Sequence, residues 1–478
     1  MNKKARFTYK FLTALAILPA ATLLSPLFSS DPPEDPLTEF AKHPVWEEEV
    51  AIPKGIKIGS ASCHFQENGA AEHPTTHWGY YYLSNNIVPP YVPDIWNHPE
   101  KIIEKLKELG MDAFRFSVAR DKIEPKPGKF DDEAIQHYVR FVHFLKENNI
   151  EPMVTLNHFD APSYFSWENA HNIDGFVKFA EIISEALYKA GLRKIVTINE
   201  PTVFVFQGFI RGVFPPHHIC DFEGASYVLE NMIRAHTKVY AALKQLHPDF
   251  EIGLSQDPIR FRHYHKYNPL LMPLEKLVCH FLTVFNHTAF FELLQTGKFS
   301  LNIPFVHSFD LGGPPPLDFI GLQYYTDPLL SFSPIGGGSV TRVDNENLSS
   351  YKYRAYPQGL ASALEEFSHL KTPSGAPLPI EITEVGIDTG LNHDERDLER
   401  IQHFGRLFQV VQKALDYGVP IRSVYFWGGT GDSLEWAEEF KARFGLYYFD
   451  ENTGESTLRP AGAWLKALLK ERDKSRDD

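Results

Sequence analysis

The stretch G-F-V-K-F-A-E-I-I-S-E-A-L-Y-K-A-G-L-R-K-I-V-T-I-N-E-P, residues 175–201, sets a helix directly before a strand. Phe176, Phe179, Ala180, Ile183 and Leu187 recur at three- and four-residue spacing, the period of one helix face. Asp174 stands where a first-turn acid belongs, and Gly191 follows the last turn. Ile195–Asn199 is then a short, β-branched apolar run, closed by Glu200-Pro201. A strand this apolar is buried on both faces, as in a parallel sheet covered by helices.

Outward from this stretch the same unit recurs. Candidate strands are Ile56–Ser62, Ala113–Val118, Pro152–Asn157, Ile195–Asn199, Ile252–Ser255, Phe319–Gln323, Pro379–Thr383 and Ser423–Phe426. Helical periodicity fills Pro99–Leu109, Glu133–Asn148, Gly175–Ala190, Ala225–Leu246 and Glu395–Tyr417, with Asp131-Asp132 at one start and Gly110 and Gly418 at two ends. Eight strands alternating with helices make an α/β protein with a parallel sheet, and the count favours closure into a (β/α)8 TIM barrel. An open doubly wound sheet would want a G-x-G-x-x-G turn after Ile56–Ser62, and none follows. A single barrel with long loops over residues 52–470 suits the 478-residue length better than two domains.

The flanks differ in character. Residues 1–30 carry Lys3, Lys4, Arg6 and Lys10, no acid, and an apolar run from Phe11 to Leu24. This pattern reads as a signal peptide for export to the periplasm or medium; the runner-up is an uncleaved membrane anchor through residues 11–28. Residues 31–51, opening D-P-P-E-D-P, read as an acidic, proline-rich linker or an arm lying on the body. Stretches 307–317 and 333–350 read as long surface loops, and Glu471 to Asp478 as a frayed, charged end. With 43% hydrophobic, 23% charged and 14% aromatic residues, the chain is neither disordered nor a multi-span membrane protein. A net charge of −14 lacks the basic footprint of a nucleic-acid binder. Three widely spaced cysteines (Cys63, Cys220, Cys279) allow at most one disulfide. The sequence leaves oligomeric state open.

Polar residues collect at one end of the strands. Gln66 trails the first, Arg115 lies in the second, His158 and Asp160 follow the third, and Asn199-Glu200 ends the fourth. Gln323, Tyr324 and Tyr325 end the sixth, Glu384 the seventh and Trp427 the eighth. On a barrel these form a ring at the C-terminal mouth, where such folds place their chemistry. Two carboxyls facing each other there, Glu200 and Glu384, suit glycoside hydrolysis: one protonates the leaving oxygen while the other attacks the anomeric carbon or activates water. Arg115, on the second strand, is placed to keep one of these carboxylates charged, and Tyr325 to add a hydrogen bond to the same oxygens. The bland alternative is a structural ion network.

At this point the chain resembles the glycoside hydrolase family 1 β-glycosidases. V-T-I-N-E-P (196–201) is similar to the family's acid/base motif, and I-T-E-V-G (382–386) to its nucleophile motif. A-F-R-F-S (113–117), T-L-N-H-F-D-A-P (155–162), S-A-S-C-H-F-Q-E-N-G-A (60–70), D-F-I-G-L-Q-Y-Y-T (318–326) and F-W-G-G-T-G-D-S-L-E-W-A (426–437) resemble further family segments in the same order. The resemblance implies Glu200 as acid/base, Glu384 as nucleophile, and retention by double displacement. It implies Gln66, His158, Asn199, Tyr325, Trp427, Glu435 and Trp436 as sugar contacts, with Trp427 as the floor. No cofactor is implied, and Glu435-Trp436 resembles the branch acting on neutral rather than 6-phosphorylated sugars. Departures from the family pattern are Val385, Gln323, Arg120 and the longer Trp427–Glu435 spacing, all expected near the sugar pocket. His217-His218 and His263-x-His265 lack a carboxylate or cysteine at ligand spacing and read as loop residues rather than a metal site. Two other roles stay open: a catalytically silent carbohydrate-binding or receptor-like protein, and a transglycosidase.

Overall fold

A computed structural model describes residues 50–67, 75–87, 94–265, 269–303, 306–333, 337–340, 356–388, 397–431, 435–436, 442–450 and 453–477. The signal or anchor segment and nearly all of the acidic linker lie outside the described residues, as does 341–350 of the second expected loop.

The strands are β1 (Lys57–Ala61), β2 (Ala113–Ser117), β3 (Glu151–Asn157), β4 (Lys194–Asn199), β5 (Glu251–Gln256), β6 (Phe319–Tyr324), β7 (Ile380–Val385) and β8 (Ile421–Trp427). They close in sequence order into one parallel barrel, with β1 between β8 and β2. Each is followed by a helix of the outer ring: α1 (Pro99–Leu109), α2 (Asp132–Glu147), α3 (Asn172–Lys189), α4 (Phe222–Leu246), α5 (Leu271–Thr296, with a π turn at Val284–Thr288), α6 (Pro357–Phe367), α7 (Asp397–Asp416) and α8 (Pro460–Asp477). The local signals act as expected. The Asp131 carboxylate accepts from the Glu133 and Ala134 amides and so caps α2, and Gly110 closes α1 at φ 79°.

Outward-facing strand residues such as Ile58, Phe114, Ile195, Ile252, Ile320 and Ile382 pack under the helices as one apolar layer. Inward-facing Ala61, Ala113, Met153, Val196, Phe319 and Tyr425 fill the barrel and merge with an aromatic wall at the mouth. Gly59 and Gly253 leave room for that filling: a Cβ on either would lie 2.7 Å from the Tyr425 or Phe319 ring.

Alternation breaks where it matters. Against β6, Ile382 pairs with Leu322 but Glu384 with Gln323, so β7 carries one extra residue there. Against β5, Val196 pairs with Gly253 but Asn199 with Ser255, so β4 does the same. Such bulges re-aim a side chain at the rim of a barrel. Here they turn Asn199 and Glu384 inward, three residues after inward-facing Val196 and Glu381.

Three expectations are corrected. Phe309–Asp310, in the first expected loop, pairs with Lys298–Phe299, and Gly337–Val340, in the second, pairs with Leu329–Ser333. The end is not frayed: α8 runs to Asp477 because Arg472 reaches the Gly110 carbonyl and the Asp112 carboxylate. Cys63, Cys220 and Cys279 are not joined to one another by a disulfide.

Candidate active site

At the C-terminal mouth lies a cavity of about 280 Å³. His158, Glu200, Tyr325, Glu384, Trp427, Glu435 and Trp436 line it, so the structure brings these sequence-selected residues together. Gln66, Arg115 and Asn199 stand one layer behind and act through hydrogen bonds: Gln66 on Glu435, Arg115 and Asn199 on each other, and Arg115 on Glu384.

Glu384 is gripped. Arg115 Nη1 and Gln323 Nε2 each donate to its Oε1 at 2.5 Å, and the Tyr325 hydroxyl donates to Oε2 at 2.6 Å. Arg115 is itself fixed by Thr155 Oγ1 at 3.1 Å and by Asn199 Oδ1 at 2.5 Å, which also accepts from Gln323 at 2.8 Å. Asn199 Nδ2 donates to His158 Nε2 at 3.2 Å. This leaves His158 Nδ1 buried without a hydrogen-bond partner among the described residues.

Glu200 is held differently. Its backbone is left-handed (φ 41°, ψ 63°) at the cap of the short helix Pro201–Val205, a strained conformation for a residue with a Cβ. The Ser255 carbonyl accepts from its amide at 2.8 Å, fixing the main chain. No described residue donates to its carboxyl group.

Electrostatics follow from this asymmetry. Burial, then Glu384 and Asp257, push the Glu200 carboxyl well above the usual carboxylate range. Burial also raises Glu384, but Arg115 and the Tyr325 hydroxyl pull it back toward the ionised form. One proton shared by this pair therefore sits on Glu200. Burial pushes Glu435 to about 8, against hydrogen bonds from Trp427 and Gln66. Burial and Arg115 keep His158 well below its usual range, hence neutral.

The wall is aromatic. The Trp427 indole donates to Glu435 Oε2 at 3.2 Å, and its ring lies 5.5 Å from that of His158. Trp436 stacks on Phe65 at 5.3 Å. A polar rim over flat rings matches the hydroxyl edge and C–H face of a pyranose.

The departures sort themselves. Gln323 acts directly on Glu384, as just described. Val385 points away, into the outer apolar layer, and Arg120 is not among the cavity-lining residues. Arg120 is buried against Glu124 and lies over the rings of Phe165 and Phe179. The histidine pairs do have carboxylate neighbours: Asp221, only three residues along the chain, meets His218 at 3.0 Å, which corrects the expectation of no carboxylate at ligand spacing, and Glu275 meets His265 at 2.6 Å. Among the described residues, no three such groups converge into a metal site.

Sequence reasoning missed Asp257, Gln207, Arg211 and Ile259, which also line the cavity. The strand-end rule that found the others would have found Asp257. It directly follows Gln256, the last residue of β5, whereas the expected strand stopped at Ser255.

Comparison with known proteins gives a consistent answer. The profile of glycosyl hydrolase family 1 matches residues 59–474. The chain is 25% identical over 413 residues to β-glucosidase A of Thermotoga maritima, covering 79% of this chain and 86% of that one. It is 24% identical to 6-phospho-β-galactosidase of Clostridium acetobutylicum, covering 87% and 96%. The solved β-glycosidase from Pyrococcus horikoshii superposes with a TM-score of 0.74 at 24% identity, covering 88% of this chain and 96% of that one.

Proposed function

This chain belongs to glycosyl hydrolase family 1, and from that premise we propose that it hydrolyses O-linked β-glycosides of a neutral, glucose-like sugar with retention. The observation that carries the reading is the unequal treatment of two carboxyls in one cavity: among the described residues, three donors reach Glu384 and none reaches Glu200. Glu384, held ionised and oriented, attacks the anomeric carbon. Glu200 gives its proton to the departing glycosidic oxygen, and the C–O bond breaks as the glycosyl-enzyme ester forms. Glu200, now a carboxylate, takes a proton from water, which attacks the same carbon and releases Glu384.

The sugar ring stacks on Trp427 while His158, Glu435 and Trp436 meet its hydroxyls. Gln66 and Asn199 support these contacts from behind. A neutral sugar is favoured because Glu435 faces the cavity and, protonated or not, offers a phosphate no positive charge. The described lining holds one basic side chain, Arg211, and it comes from the segment after β4. The basic, then apolar, pattern of residues 1–30 supports export or membrane attachment of this activity, which N-terminal sequencing of fractionated native protein checks.

The test is chemical. NMR of the hydrolysis of an aryl β-glucoside should show the β-anomer appearing first. A 2-deoxy-2-fluoro β-glucoside should add its sugar mass to the peptide bearing Glu384. First release of the α-anomer, or a label elsewhere, overturns the assignment.

A further inference from the structure

Gln323, a departure from the family pattern, pairs with Glu384 across the β6–β7 ladder, in the register set by the bulge. It is fully buried and is not among the cavity-lining residues. Its Nε2 donates twice, to Glu384 Oε1 at 2.5 Å and to Asn199 Oδ1 at 2.8 Å. Its own Oε1 has no hydrogen-bond partner among the described residues. The opposite amide orientation would set an oxygen against two acceptors, so the nitrogen belongs where it is. The fold thus leaves a buried acceptor unmet in order to place both N–H groups, which marks the two bonds as the purpose of this side chain.

Lone pairs decide what these bonds do. A carboxylate oxygen accepts about two hydrogen bonds. Arg115 and Gln323 both donate to Glu384 Oε1, which is then full, whereas Tyr325 donates to Oε2 and leaves it a free pair. Oε2 is therefore the oxygen that attacks C1. The sugar's 2-hydroxyl stands one bond beyond C1, and the nucleophile oxygen left to accept from it is Oε1, which is already full. Asn199 is closed in the same way. Its Oδ1 takes Arg115 and Gln323, its Nδ2 donates to His158, and its side chain is only 1% exposed. Hydrogen bonds to the 2-hydroxyl that strengthen in the transition state are a general source of glycosidase rate. Here the groups beside C1 have their partners from the protein.

Resting on the catalytic reading above, we propose that Gln323 is a specificity-determining positioning residue that frees the reaction from the sugar's 2-hydroxyl, so that 2-deoxy-β-glycosides are cleaved alongside β-glucosides. Its two N–H groups give Glu384 and Asn199 the hydrogen bonds that a 2-hydroxyl would otherwise share. A sugar without that hydroxyl strands no buried group, and strong discrimination against a missing hydroxyl requires a stranded group.

The experiment compares kcat/KM for p-nitrophenyl β-glucoside with kcat/KM for p-nitrophenyl 2-deoxy-β-glucoside. The wild type should cleave the two within about 30-fold of each other. A larger loss on the 2-deoxy substrate overturns the proposal and leaves the catalytic reading intact. Gln323→Met keeps the length of the side chain, removes its donors and opens Oε1 to the 2-hydroxyl. Both activities fall, but the glucoside-to-2-deoxyglucoside ratio should rise about 10- to 100-fold above that of the wild type, the effect of one hydrogen bond to a charged group. The intrinsic reactivities of the two substrates cancel in that comparison, and a merely structural role would not move it. Gln323→Asn, whose amide falls roughly 1.5 Å short, should show the same rise and serves if the methionine variant does not fold. Equal losses on both substrates would make Gln323 a structural support of Glu384 and overturn the proposal. A wild type inert on both removes the catalytic reading and this inference with it.

Discussion

β4 and β7 each carry charge to both ends of the barrel, and the two ends treat it in opposite ways. At the N-terminal end Lys194 meets Glu381 at 2.6 Å and Glu151 at 2.9 Å, and Glu151 also contacts Lys57. Two lysines thus answer two glutamates, and the Ser423 hydroxyl also donates to Glu381. At the mouth, Glu200, Glu384, Glu435 and Asp257 share the cavity, while Arg115 is the basic group bonded to the cluster. Glu381 is as deeply buried as Glu384, so between these two the difference lies in compensation. At the N-terminal end each acid has a cation and serves structure, whereas the excess of buried acid at the mouth raises the Glu200 pKa and keeps a proton there for chemistry. Glu381 and Glu384 sit three residues apart on one strand and fall on opposite sides of this divide.

The comparison can be broken by exchanging what each end loses. The largest effect is expected from Glu384→Gln: kcat on an aryl β-glucoside falls about 10,000-fold or more. Its thermal midpoint should stay close to that of the wild type, because the loss of the Arg115–Glu384 ion pair is offset by relief of the repulsion that Glu384 exerts on Glu200 and Asp257. A parallel drop in melting temperature would place Glu384 among the structural acids. Lys194→Met reverses the pattern. It leaves Glu381 buried and unpaired, so urea unfolding should show a loss of about 3–5 kcal/mol, with kcat of the folded fraction retained.

Two further changes sharpen the contrast. Arg115→Gln removes the cation that lowers the Glu384 pKa, so that pKa rises. The ionised fraction at a given pH then falls, and the acid limb of the kcat/KM profile should move up by about 1–3 pH units. A limb that stays put would show that Tyr325 and Gln323 suffice. The smallest change is expected when Lys194→Met and Glu381→Leu are combined. Removing both partners should return stability to within about 1 kcal/mol of the wild type, since a buried pair costs nearly what it returns.

Much of this was legible in the chain. Helix periods, the Asp131 cap and the Gly110 stop are local signals, and the corresponding elements formed within a few residues of their expected bounds. The strand-end residues were legible because eight parallel strands leave one mouth. Asp257 was not, since polar Gln256, inside β5 in the structure, reads in sequence as the end of that strand. The carboxylate beside His265 was hidden because chain folding brings Glu275 to it from ten residues away, whereas Asp221 stands only three residues after His218 and was legible.

The sequence by itself determined that the chain alternates helix with buried strand and that Glu200 and Glu384 stand at strand ends. Those facts rest on side-chain period and turn chemistry, which act over a few residues. Tertiary structure alone decided that Glu384 faces inward three residues after Glu381, because the bulge exists only in the register of β7 against β6. It also decided which carboxyl holds the proton. That depends on burial and on Arg115, Gln323 and Tyr325 arriving from other strands, and a pKa is set by neighbours in space rather than along the chain.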